Sequence, residues 1–103
     1  MKTIIEGHRY ELENVGGTKA EVQSIQFFQQ EAVEGYDQLR TVSDGTTNEE
    51  VIAMLIDRMQ FLQRSLPCKE NAIVITNLEE SLMWLNKRTE GRQARGVEGK
   101  KLA

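Results

Sequence analysis

The stretch Asn71–Gly99, NAIVITNLEESLMWLNKRTEGRQARGVEG, constrains the fold more than any other part of the chain. Ile75, Leu78, Leu82 and Leu85 recur at spacings of three and four, which puts them on one face of a helix. Beyond them the character changes. Arg88, Arg92 and Arg95 continue the helical spacing and share a stripe with Trp84, one turn earlier. A packing face thus runs into a cationic face that carries an aromatic, and the helix needs a partner to cover its first half.

That partner precedes it. Ser43-Asp44-Gly45 is a turn signal, and Thr47-Asn48-Glu49-Glu50 has the pattern of a capping box, with acidic residues at the positive end of a helix. The spacing predicts a first helix from about Asn48 to Ser65. Val51, Leu55, Met59 and Leu62 form one apolar stripe; Ile52, Ile56 and again Met59 form a second beside it. One partner helix needs only one narrow stripe, so two imply burial against more than one neighbour. Leu66-Pro67 ends this helix, because the residue before proline avoids helical geometry. A second helix, from Cys68 or Lys69 to about Arg95, forms an antiparallel hairpin with the first. Gly91 weakens it by about 1 kcal/mol relative to alanine and predicts fraying or a bend there. Gly96 and Gly99 mark a stop and a tail.

The first 45 residues suggest a small antiparallel sheet. An edge strand is expected around His8–Glu13, Val15-Gly16-Gly17-Thr18 is a turn, and Gln23–Val33 reads as a second strand with Ile25 and Phe27 on one face, in preference to a helix, which its Gln, Glu and Ala would also suit. A third, short strand follows the Gly35 break at Gln38–Val42. The fold class is therefore α+β: a small N-terminal antiparallel β-sheet followed by a two-helix hairpin that oligomerises. At 103 residues this is one domain, with a β region at 1–45, the hairpin at 46–99 and a tail at 100–103.

Charge is distributed unevenly. Residues 1–50 carry four Lys/Arg against ten Asp/Glu, whereas from Lys87 onward there are six against two. An acidic protein with a basic end suits a small anionic ligand or an acidic patch better than DNA or RNA. Cys68 is the one cysteine, so no disulfide framework is expected, and a reducing intracellular setting is the simplest reading. No apolar run is long enough to span a bilayer, and no leader pattern is present.

Catalytic chemistry finds little to use. His8 is the one histidine and has no evident partner; Cys68 reads as a helix-start residue without a base; Glu79 and Glu80 read as a solvated helix face. Metal-ligand and phosphate-loop spacings are lacking, so no metal, no cofactor and no enzyme are expected. Binding is what remains. Arginines near a helix end interact favourably with its dipole whatever else they do. Three on a stripe with Trp84, flanked by Lys87, also offer planar forks for phosphate oxygens and a ring for a base, although Trp84, as a large aromatic in a small chain, is expected in the core rather than at a ligand.

The pattern TNEEV…LIDR…FL…P…EN…LEE.L.WLNKRT..R..RGVEG, over about residues 46–99, resembles the helical-hairpin domain of phage Thoeris anti-defence sponges and their anti-CBASS relatives. The upstream segment HRYELEN…QSIQFF…LRTV.DGTTNEEV is a looser match to the sheet that precedes that hairpin. The resemblance implies a non-catalytic protein of the infected host's cytoplasm that sequesters nucleotide second messengers: cyclic ADP-ribose isomers, or cyclic di- and trinucleotides. It implies that Phe61 stacks on a base, that Asn71 contacts the ligand, and that Arg88 and Arg92 hold a diphosphate, with Arg95 as a further candidate. Departures are Gly91, where relatives are expected to carry an acidic residue, and the lysine-rich end Lys100-Lys101.

Asn71 and Arg88 are seventeen residues apart, roughly 25 Å along one helix. Phe61 lies toward the Asn71 end. Residues at both ends can meet one nucleotide-sized ligand only if a second chain lies antiparallel, which makes a two-fold dimer the expected minimum, with larger homo-oligomers such as a hexamer allowed. The competing readings are a helical-hairpin interaction adaptor and a nucleic-acid accessory protein.

Overall fold

A computed structural model describes residues 1–18 and 21–103 and divides the chain into two compact units, Met1–Thr47 and Asn48–Ala103. The first unit is β. Strands β1 (Lys2–Ile5), β2 (Arg9–Leu12) and β3 (Gln23–Gln26) form an antiparallel sheet in that order; β4 (Gln29–Ala32) and β5 (Leu39–Ser43) form a second, two-stranded one. The second unit is the hairpin of α1 (Asn48–Ser65) and α2 (Lys69–Ala94).

The antiparallel β region thus stands, but as two sheets. The segment expected as one strand, Gln23–Val33, changes partners halfway. β3 pairs with β2, then Phe27 donates its N–H to the His8 carbonyl and bridges to Thr46, and β4 pairs with β5. The exchange needs glycine at position 45. A Cβ there would lie 2.5 Å from the Gln26 carbonyl oxygen and 2.6 Å from Phe27 C and Phe28 N. Through that gap Thr46 donates its N–H to Gln26 O at 2.8 Å and accepts from Phe28 N at 3.0 Å.

The strand around His8–Glu13 is central rather than at an edge. Lys2–Ile5 covers its outer side through a tight turn in which His8 N donates to Ile5 O and Gly7 takes a φ of +74°. Across β2 and the strand switch, Tyr10 and Phe27 meet edge to face, ring centroids 6.2 Å apart. Register places Glu31 opposite Arg40, and Arg40 Nε donates to Glu31 Oε1 at 2.7 Å.

In the second unit, the seam follows the expected pattern. Ile52, Ile56 and Met59 are half-buried on α1; Asn71, Ile75, Leu78, Leu82, Leu85 and Thr89 are half-buried on α2, alternating at four and three residues. The turn between the helices is tied by one side chain. Gln63 Nε2 donates to Cys68 O, and Cys68 N donates to Gln63 Oε1, both at 3.0 Å. Cys68 then caps α2, its sulfur accepting from Asn71 N. Gly91 neither frays nor ends the helix. α2 continues past it to Ala94, because leucine packing upstream and the closure downstream outweigh a single glycine's entropic cost.

That closure is a Schellman motif. Gly96 takes a φ of +70°, Gly96 N donates to Gln93 O, and Val97 N reaches back to Arg92 O.

Gly45→Ala should lower the stability of the β unit by about 2 kcal/mol, the cost of forcing backbone apart in a filled space. Amide hydrogen exchange should show the loss as faster exchange in β2 and β3, with the amides of α1 and α2 less affected.

Candidate ligand-binding site

A hairpin of two helices has little interior, and the burial pattern reflects this. Among the described residues no apolar side chain is fully buried. Leu55 stays 40% exposed, as do Met54, Ile73, Val74 and Met83 at similar or greater values. The stripe Ile52–Ile56–Met59 closes against α2, while Leu55 of the neighbouring stripe stays open.

Phe61 lies near the end of α1 and is 56% exposed. Asn71 stands in the first turn of α2; its backbone N–H is spent on Cys68 sulfur, and among the described residues its side-chain amide makes no bond. These two therefore sit at the turn end of the hairpin. Arg88 and Arg95 are exposed at the other end. Among the described residues the Arg88 guanidinium donates to nothing, and Arg95 Nε makes only a long bond to Gly91 O within its own helix. Trp84 is 55% exposed, and Lys87 Nζ sits 5.0 Å from its ring centroid, a cation over an aromatic face. Trp84 is therefore not a core residue.

Arg92 differs from its neighbours on the stripe. It is 5% exposed, the one fully buried residue among those described. Its Nε donates to Glu98 Oε2 at 3.1 Å, one terminal nitrogen to the carbonyls of Val97 and Lys100 at 2.9 and 2.8 Å, and the other to the Leu102 carbonyl. Burying a guanidinium is costly unless its donors are matched, and here the segment after Gly96 supplies the matches. Sequence reading missed these partners; Glu98, six residues beyond Arg92, was the one available signal.

In one chain the five nominated residues do not converge. Phe61 and Asn71 lie at one end of α2, Arg88, Arg92 and Arg95 at the other, and the helix between them is unbroken over 26 residues. Two clefts open elsewhere. One in the β unit, about 530 Å³, is lined by residues that include Lys2, Glu11, Leu12 and Asn14. One on the hairpin, about 710 Å³, is lined by residues that include Ile56, Leu82 and Met83 together with Glu79, Lys87 and Glu90. None of the five lines either, and the second, with two carboxylates to one ammonium in its lining, does not favour an anion. Among the described residues no group of three or more His, Cys, Asp or Glu side chains could hold a metal ion, and no helix is long and apolar enough to cross a membrane.

Comparison with known proteins adds two findings. The family described as Acb2/Tad1, hairpin domain, matches residues 28–90, more than half of the chain. A protein named Thoeris anti-defense 1, from Bacillus phage SBSphiJ7, is 59% identical over 58 residues; the match covers 55% of this chain and 41% of that protein. The chain thus spans about two fifths of the length of this curated relative.

Arg92→Ala should cost about 2 kcal/mol in hairpin stability, because four donors are lost and their acceptors are left to find water. Arg88→Ala, with no partner among the described residues, should stay within about 0.5 kcal/mol. Thermal unfolding of the two variants beside the parent chain measures both.

Proposed function

This chain belongs to the Acb2/Tad1 hairpin-domain family, and on that premise we propose that it is an anti-defence protein that sequesters a nucleotide second messenger without cleaving it. The ligand class is a cyclic ADP-ribose isomer, with cyclic di- and trinucleotides as further candidates. The relative's printed name supports an anti-Thoeris role, and its phage source supports action inside an infected bacterium.

One observation carries the reading. The unspent recognition groups stand at opposite ends of one unbroken helix, and Asn71 and Arg88 are roughly 25 Å apart by helical rise. A small nucleotide meets both sets only across two antiparallel copies. Phe61 of one copy stacks on the base, which contributes roughly 1–3 kcal/mol. Asn71 beside it supplies an amide for the base edge or ribose. Arg88 and Arg95 of the mate bind the diphosphate through charge-assisted bonds, with Arg92 one turn beyond Arg88. Two-fold symmetry makes two such pockets per dimer. The open apolar residues Leu55 and Val74 are the kind of surface a second copy covers. No general acid or base is assigned to the pocket, so the ligand leaves intact.

The test is retention. The protein is incubated with cyclic ADP-ribose isomers or cyclic dinucleotides, freed of unbound ligand, denatured, and the released material analysed. Release of the unaltered nucleotide is expected. An altered nucleotide would indicate an enzyme, and nothing released would favour an adaptor or nucleic-acid accessory protein. Phe61→Ala and Arg88→Ala chains, each inactive alone, should regain about half of the pockets' capacity less statistical losses when co-refolded. No recovery in any mixture would contradict shared pockets.

A further inference from the structure

Arg92 is buried by the segment that follows its own helix, and that arrangement has a cost if the arginine is to meet a ligand. Gly96 and Gly99, at φ +70° and +78°, turn the chain twice, so that Val97, Lys100 and Leu102 aim their carbonyls at one guanidinium while Glu98 approaches its Nε. Four of the five guanidinium N–H groups are occupied. Arg88, four residues earlier on the same helical face, is exposed. The two arginines are chemically alike and adjacent, yet one is available and the other is held.

We infer that residues Val97–Leu102 form a strap that withholds Arg92 from the pocket, and that a phosphate-bearing ligand, first engaged by Arg88, releases the strap by replacing its acceptors on the Arg92 guanidinium. This rests on the proposed role of the arginine end as the phosphate end. The exchange is physically reasonable. Three of the present acceptors are neutral carbonyls, and the fourth, Glu98, keeps 44% of its side chain in solvent. Phosphate oxygens are charged, match the guanidinium fork two at a time, and make stronger bonds than carbonyls. Freed strap carbonyls lie at the surface and can turn to water. A held arginine lowers the apparent affinity by the fraction of chains whose strap is open, so weakening the strap tightens binding while Arg92 itself is kept. An arginine that were only a structural strut would show no gain, since loosening its partners would not help a ligand.

The experiment uses the full chain and cyclic ADP-ribose as the probe. Hydrogen exchange at the Val97 and Lys100 amides, which bond to Arg92 O and Val97 O, reports the strap directly. Saturating ligand should speed their exchange severalfold. Glu98→Gln should tighten binding about two- to five-fold, the fold-change of one partly exposed ion pair. Glu90→Gln removes the same charge from the same end of α2 without touching the strap, and should gain less. Unchanged or slower exchange in the ligand-bound strap, or equal gains from Glu90→Gln and Glu98→Gln, overturns the strap. Failure of the parent chain to retain any cyclic nucleotide overturns the functional reading and the strap with it. Retention with a silent strap overturns the strap alone.

Discussion

A hairpin of two helices can close one seam, and this chain carries more apolar surface than one seam covers. Ile52, Ile56 and Met59 meet the face of α2 built from Ile75, Leu78, Leu82 and Leu85, yet none of these is fully buried. Leu55, Met54, Ile73 and Val74 remain open on the flanks. Hydrophobic burial dominates folding stability, so a hairpin this thin gains most from a further neighbour. The same shortage explains why polar devices hold its ends: the Gln63–Cys68 amide pair at the turn and the Arg92 cluster at the far end.

The thinness also bears on binding. A thick domain can fold a pocket into itself, whereas a single hairpin displays its side chains along a rod. α2 keeps its ends apart over 26 residues, so groups placed at the two ends cannot act on one small molecule within a single chain. In the dimer proposed above, stability and recognition have one origin: the antiparallel neighbour that would cover the open stripe is also the one that would carry arginines to the aromatic end.

Much of the hairpin was legible in the sequence. Period-3.6 spacing, the Thr47–Glu50 pattern, Pro67 and Gly96 place both helices within a residue or so, because each mark acts locally on the backbone. The β unit was less legible. Lys2–Ile5 is too short for alternation to register, and its two isoleucines are consecutive, so the strand beside it passed for an edge. The switch of partners at Phe27 depends on the approach of Gly45 and Thr46, about twenty residues downstream, which no local pattern announces. At the candidate site, spacing alone made Arg88, Arg92 and Arg95 equivalent. Tertiary structure separates them, because a chain reversal at Gly96 wraps one guanidinium and leaves the other two exposed. Gly91 misled in the other direction: a residue's intrinsic cost is small beside the packing on either side of it.

The most direct test of the two-chain site is a distance between copies. One chain carries a spin label on its native Cys68, and a second, with Cys68→Ser and Ala94→Cys, carries one at the opposite end of α2. Pulsed dipolar spectroscopy on the mixture should give a short distance between the unlike labels, while two Cys68 labels in the parent oligomer should lie about 39 Å apart, the length of a 26-residue helix. A short Cys68–Cys68 distance, or no distance between chains at all, would contradict the account.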